Sequence, residues 1–225
     1  MIKAVVFDMF ETLVTLFEGR TYFGENIAGD VGVDPKQFRK EWHDIEVDRS
    51  IGKYTIKDGL EIVLKKLDAF SEDKVNLAAQ KRIDALGDTF SAIPEESIQM
   101  LIDLKSKGMK LGLMTNTFSD ERDIIIKSPL YPFFDVPLIS YEVGVCKPAP
   151  EMYQKMIDLL GVKADEILYV GDGGSRELYA AREAGMHPVQ CTWFHDRAFE
   201  PHIPCPILNE FPHADHQSEI LDYVK

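Results

Sequence analysis

The chain has 225 residues with 45% hydrophobic content, enough for one large or two modest domains with a real core. Its formal net charge of −13 argues against nucleic acid and anionic lipid as partners, because both carry negative charge as well. The three cysteines show no spacing typical of a disulfide framework or a zinc site. We find no leader segment and no apolar run long enough to span a membrane. The sequence therefore predicts a soluble, cytoplasmic protein.

The chain begins with a predicted strand at residues 2–7, a short apolar run that contains β-branched residues. The following segment, residues 16–90, has a helical pattern throughout, and Thr55–Asp58 resembles a capping box at the start of one helix. No convincing strand interrupts this segment. We therefore predict a helical insert at residues 16–90 and a core domain formed by residues 1–15 and 91–225.

After Pro94, predicted helices and strands alternate. Strands separated by helices pair in parallel through right-handed crossovers, which predicts an α/β fold with a Rossmann-like parallel sheet flanked by helices. The proline-rich tail predicts a short strand at 207–208 and a last helix at 217–224. The predicted helices span 95–107, 119–127, 150–160 and 175–184, and the predicted strands span 110–115, 136–140, 167–171 and 187–191.

Polar groups follow four of the predicted strands at the point where each strand ends. They are Asp8, Thr115 with Asn116, Lys147, and Asp172. The carboxyl ends of neighbouring parallel strands meet in one crevice, so these side chains are expected to converge there. A carboxylate, a hydroxyl, a cation and a second carboxylate in one crevice predict a catalytic site.

These segments resemble the four motifs of the haloacid dehalogenase-like hydrolase superfamily, in order and over nearly the whole chain. Asp8 through Leu13 match the first motif, Thr115 the second, Lys147 the third, and Gly171-Asp172 with Glu177 the fourth. The helical insert resembles the helical cap of the family's first type. The resemblance implies strand order 5-4-1-2-3 under a mobile lid, and a reaction through a covalent aspartyl intermediate that water hydrolyses.

The resemblance also implies a role for each motif residue. Asp8 is the expected nucleophile, since a carboxylate is ionised at neutral pH and needs no base. Lys147 is expected to pair with Asp8 and with the phosphoryl group of the substrate. Thr115 is expected to hydrogen-bond a phosphoryl oxygen, while the backbone N–H of Asn116 helps to cradle it.

A magnesium site is expected beside the nucleophile. Mg²⁺ prefers hard oxygen ligands, and the family pattern supplies them from Asp8, Asp172 and the backbone carbonyl of Phe10. Glu177 is expected either to hold a metal-bound water or to be an ordinary acidic residue at a helix N-terminus.

Substrate contacts are expected from the first motif and from the lid. Thr12 is the candidate in the motif. The lid candidates are Arg20, Arg49 and Gly52, although ordinary surface positions are an equally good interpretation of these three residues.

One departure from the family pattern divides the functional interpretation. Phe10 stands where phosphatases of the family usually carry a second Asp, the acid that protonates the leaving group. We expect a Mg²⁺-dependent hydrolase of small phosphorylated metabolites, because Asp172 would have no role in halide displacement. The protein is expected to be a monomer or a homodimer. The alternatives are a metal-independent 2-haloacid dehalogenase, which Phe10 favours, and a catalytically weak binding or regulatory protein on the same scaffold.

Overall fold

The computed structural model describes all 225 residues, and its centre is a six-stranded parallel sheet. The strand order is β3-β2-β1-β4-β5-β6. The predicted α/β class is therefore confirmed, and the expected five-strand order is present with a sixth strand added beside β5. The strands are β1 (Ala4–Phe7), β2 (Lys110–Thr115), β3 (Val136–Ile139), β4 (Ile167–Gly171), β5 (His187–Cys191) and β6 (His213–Ala214).

The central strand β1 is buried on both faces. Val5 and Phe7 point into one hydrophobic cluster and Ala4 and Val6 into another, and all four are fully buried. Alternating side chains thus bind the two helical layers to the sheet, and hydrophobic burial on both faces stabilises the layered fold.

Five helices lie between β1 and the next core helix, and they pack around a hydrophobic cluster of their own. The capping box that the sequence predicts is present, because Asp58 N donates to Thr55 Oγ1 and Thr55 N donates to Asp58 Oδ2. None of the protein's helices has the length and apolarity of a membrane span. These five helices are α1 (Gly24–Val31), α2 (Pro35–Asp44), α3 (Glu46–Ser50), α4 (Ile56–Lys66) and α5 (Glu72–Ser91).

The remaining helices flank the sheet, and the tail departs from the sequence prediction. The predicted strand at 207–208 is wrong, because Leu208 N donates to the side-chain oxygen of Gln190 instead of pairing with a strand. The sixth strand lies at β6, and residues Gln217–Asp222 form a 3-10 helix. The flanking helices are α6 (Glu95–Ser106), α7 (Ser119–Ile125), α8 (Ser140–Val143), α9 (Pro150–Leu160) and α10 (Glu177–Glu183).

Candidate active site

A buried ion pair joins the ends of the first and third motifs. Lys147 Nζ lies 2.8 Å from Asp8 Oδ1, and both side chains are largely buried. Asp8 is fixed at the end of β1, where its backbone N–H donates to Val170 O of β4. Burial alone lowers the pKa of Lys147, but the charges of Asp8 and Glu177 outweigh it and raise that pKa. The lysine therefore remains a cation beside the carboxylate.

Glu177 holds Lys147 from the opposite side. Lys147 Nζ lies 2.5 Å from Glu177 Oε2, the Tyr169 hydroxyl donates to the same oxygen at 2.7 Å, and Gly173 N donates to Oε1 at 3.1 Å. Glu177 is fully buried. A side chain at Gly171 would place its Cβ 2.1 Å from Glu177 Oε1, so the glycine makes room for the carboxylate. Glu177 thus orients Lys147.

Asn116 fixes the loop that carries Lys147. Its amide Nδ2 donates to Lys147 O at 3.0 Å, and Lys147 N donates to Asn116 Oδ1 at 2.7 Å. The Asn116 side chain is therefore occupied, while its backbone N–H donates to no acceptor in the chain. Thr115 is fully buried at the end of β2, and its hydroxyl has only a long contact, 3.5 Å, to Asn116 O.

Three carboxylates lie close enough together to hold a cation. Ligand oxygens of Asp8, Asp172 and Glu177 are all within 4.8 Å of one another. Burial, followed by the charge of Asp8, raises the pKa of Asp172 to about 6. A divalent cation would relieve this repulsion, and carboxylate oxygens at such spacing suit Mg²⁺. The residues present therefore fit a magnesium ion.

The candidate metal ligands differ in how many hydrogen bonds their oxygens already accept. Glu177 already accepts three hydrogen bonds, which leaves Asp8 and Asp172 for direct contact. The carbonyl of Phe10 accepts no hydrogen bond from the chain. Asp172 is held by Gly174 N, which donates to its Oδ1 at 2.8 Å, so its carboxylate is oriented before any ion binds.

The side chain of Phe10 packs away from the acidic cluster. Its ring meets Phe90 of α5 edge-on, with 6.2 Å between centroids. The neighbouring Glu11 has a positive φ of 55° and turns towards the segment that enters the helical insert, where it accepts from Thr15 Oγ1 and Leu16 N. Burial raises the pKa of Glu11 to about 7. Glu11 is thus a group near Asp8 that titrates around neutral pH.

The four expected substrate contacts lie in different environments. Thr12 is fully buried and its hydroxyl accepts from Cys191 Sγ at 3.4 Å, so it is not placed to touch a substrate. Arg20 is exposed and pairs with Asp88 at 3.3 Å. Thr12 thus lies away from its expected place at the substrate, whereas Arg20 occupies an ordinary surface position, the alternative that the sequence left open.

Arg49 and Gly52 both lie where the insert meets the core. Arg49 is only 3% exposed and lines a cavity with Phe118. Gly52 has φ +84°, and a Cβ there would lie 2.4 Å from Tyr141 O, so the glycine permits a close backbone approach. Gly52 therefore serves the contact between insert and core.

Several residues that organise this site could not be predicted from the sequence. Tyr169 is an ordinary apolar strand residue by pattern, yet its hydroxyl joins the Lys147–Glu177 pair. Gln190 Nε2 donates to Asp172 O at 2.8 Å and to Pro206 O at 2.9 Å, which ties the acidic loop to the tail. No local sequence signal marks either residue, because both contacts depend on which strands are neighbours.

Comparisons with known proteins agree with this geometry. A family profile described as haloacid dehalogenase-like hydrolase matches residues 2–185. The glyceraldehyde 3-phosphate phosphatase of Methanopyrus kandleri is 28% identical over 234 residues, covering 100% of this chain and 98% of that protein. The protein of the same name from Methanocaldococcus jannaschii is 35% identical over 95 residues, but the match covers only 42% of each chain.

A solved structure shows the same architecture in a protein with another name. The 2-haloacid dehalogenase from Pseudomonas syringae pv. Tomato DC3000 superposes with a TM-score of 0.68 at 21% identity, covering 100% of this chain and 98% of its own. Because one fold can carry different chemistries, this similarity supports the fold and not the reaction.

Proposed function

This chain belongs to the haloacid dehalogenase-like hydrolases, and we propose that it hydrolyses small phosphorylated metabolites with the help of Mg²⁺. The observation that carries the proposal is the acidic cluster of Asp8, Asp172 and Glu177 around one buried lysine. The full-length relative named as a phosphatase supports the same reaction class. A site for halide displacement has no need of a second carboxylate at Asp172.

The reaction begins with Asp8. Its free carboxylate oxygen attacks phosphorus, the bond from phosphorus to the leaving oxygen breaks, and the released alkoxide takes up a proton. Water then attacks the aspartyl-phosphate, releases inorganic phosphate and restores the Asp8 carboxylate. Lys147, 2.8 Å from Asp8, stabilises the negative charge on the transferred group.

The surrounding groups position the reactants. Glu177 and Tyr169 hold the ammonium of Lys147 in place, and Asn116 fixes the backbone of the same residue. The backbone N–H of Asn116 and the hydroxyl of Thr115 are donors for phosphoryl oxygens. Magnesium, held by Asp8, Asp172 and the Phe10 carbonyl, would offset the charge of the phosphate and of the carboxylates.

We further assign residues 16–90 as a cap domain that encloses the substrate. The support is that helices α1–α5 have their own hydrophobic cluster, separate from the clusters on the two faces of the sheet. Ile56 N donates to Ser119 Oγ at 2.8 Å, and Ser140 Oγ donates to Ser50 O at 2.8 Å. Arg82 of α5 also pairs with Asp120 and Glu121 of α7, and Phe90 packs against Phe10.

The test is a release assay on a panel of phosphate esters and short 2-haloacids, with and without Mg²⁺. The proposal expects phosphate release that requires Mg²⁺ and no halide release. Halide release without metal would instead identify a dehalogenase, and no release of either product would indicate a binding protein.

A further inference from the structure

A cavity of about 230 Å³ lies between the cap helices and the start of α7. It adjoins the loops that follow β1 and β2, because Leu16 and Phe118 both line it. Leu16 N donates to Glu11, three residues after Asp8, and Phe118 lies three residues after Thr115. The cavity therefore lies at the same edge of the sheet as the candidate active site. Its walls are mostly apolar or aromatic.

Arg49 lies in the wall of this cavity with an unusual set of neighbours. Its guanidinium carbon is 3.7 Å from the centroid of the Trp42 ring and 4.0 Å from that of Phe118, so aromatic rings cover both faces. Its Nε is buried without a hydrogen-bond partner, and the guanidinium donates no hydrogen bond to a carboxylate of the chain. Only the in-plane N–H edge remains for a ligand.

A second arginine, Arg82, lies in the same wall, and each of its guanidinium nitrogens is bonded within the protein. Arg82 Nη2 lies 2.5 Å from Glu121 Oε1, Arg82 Nε lies 3.2 Å from Asp120 Oδ2, and Nη1 donates to Tyr22 O. Arg82 is therefore the bonded partner of both carboxylates, although Asp120 Oδ1 is left without a hydrogen bond. Glu121, Asp120 and Glu46 attract Arg49 through their charges, but none of them accepts a hydrogen bond from its guanidinium, although a buried charge is costly unless it is paired.

We propose that Arg49 receives a carboxylate at the far end of the substrate, so that the enzyme selects phosphate esters of small carboxylic acids. This inference rests on the phosphatase function proposed above. A carboxylate is planar and accepts two parallel N–H bonds, which is the geometry that the uncovered edge of a stacked guanidinium offers. The cavity volume limits the acid to a few carbon atoms beyond the phosphate.

The experiment compares matched pairs of substrates. Each pair has the phosphate ester of a hydroxy acid with two to four carbons and the alkyl phosphate of the same chain length. Wild type should prefer the acid by roughly 10- to 100-fold in kcat/KM, as expected for a buried charge-assisted pair. Arg49→Gln should lose most of this preference, whereas Arg39→Gln, at an exposed position of α2, should keep it.

Two further measurements make each outcome decisive. Arg49→Lys keeps the charge but not the two-pronged geometry, so it should also lose the preference even if Arg49→Gln fails to fold. Calorimetric titration of Asp8→Asn protein with each pair measures binding without turnover and should show the same selectivity.

The outcomes separate this inference from the proposed function. Hydrolysis of p-nitrophenyl phosphate without any preference for the acid would overturn the carboxylate pocket and leave the phosphatase intact. Selective binding of the acid without any phosphate release would support the pocket and overturn the phosphatase. Equal preference in wild type and in both Arg49 variants would overturn the role of Arg49.

Discussion

Replacing Glu177 by glutamine should destabilise the protein and slow it, although the two side chains have nearly the same shape. Glu177 is fully buried and faces three donors: Lys147 Nζ, the Tyr169 hydroxyl and Gly173 N. A glutamine has one acceptor oxygen and one NH₂ group, so at least one donor must face another donor. Burial raises the pKa of Glu177, and the charge of Lys147 at 2.5 Å opposes that shift and favours the ionised carboxylate. The substitution therefore removes the buried carboxylate that pairs with Lys147.

The size of the effect follows from these contacts. Removing one partner of a buried ion pair costs about 3–5 kcal/mol. Lys147 retains Asp8 at 2.8 Å, so we expect the lower end, about 3 kcal/mol. For a chain of this length that corresponds to a fall in melting temperature of roughly 6–12 °C. The turnover number should fall too, because Lys147 loses the carboxylate that orients it from the side opposite to Asp8.

Urea denaturation in metal-free buffer at pH 7 measures the free energy of unfolding. Glu183→Gln is the control, since Glu183 is exposed at the other end of the same helix and should change stability by less than about 0.5 kcal/mol. A loss below about 1 kcal/mol for Glu177→Gln would refute the reasoning, because Glu177 would then be uncharged in the fold.

Three other predictions concern Asp172 and Phe10. EDTA should abolish phosphate release, and Asp172→Ala should raise the Mg²⁺ concentration needed for half-maximal rate; activity that survives EDTA contradicts the metal site. The pKa of Asp172 is raised to about 6, so its contribution to stability is lost as the pH rises from about 4 to about 6. In EDTA, Asp172→Asn should therefore stabilise the protein by up to about 3 kcal/mol more at pH 7 than at pH 4, measured by urea denaturation, and an equal effect at both would refute this. Without an acid at position 10, wild type should prefer aryl and acyl phosphates to sugar phosphates, and Phe10→Asp should speed sugar phosphates more, by up to about 10²-fold in kcat/KM. A flat dependence on leaving-group acidity in wild type would show that another group, such as Glu11, donates the proton.

The sequence was sufficient to predict the meeting of Asp8, Lys147 and Asp172. Asp8 and Asp172 directly follow the buried strands β1 and β4, and Lys147 lies beyond β3 and the short helix α8. Parallel strands present their carboxyl ends at one edge whatever the details of packing. The alternation of helices and strands after Pro94 predicted parallel pairing, because strands joined through a crossover helix run in the same direction. These features depend on local pattern and on topology, both of which can be seen in a single sequence.

Contacts between distant side chains were not predictable in this way. Arg82 pairs with Glu121 across 39 positions of the chain, and that pair depends on how α5 packs against α7. Thr12 was expected at the substrate, but the turn after β1 directs it towards Cys191 of β5. The role of Glu177 in holding Lys147 likewise needs the fold, since a helix N-terminal acid has the same local pattern.

The most direct test of the central claim is phosphate release by wild type and by Asp8→Asn in the presence of Mg²⁺. The amide is nearly isosteric with the carboxylate but is a poor nucleophile, so circular dichroism should show an unchanged fold. We expect phosphate release from p-nitrophenyl phosphate by wild type and none above background by Asp8→Asn. Retention of more than a few per cent of wild-type activity in a folded Asp8→Asn protein would contradict the assignment of Asp8 as the nucleophile.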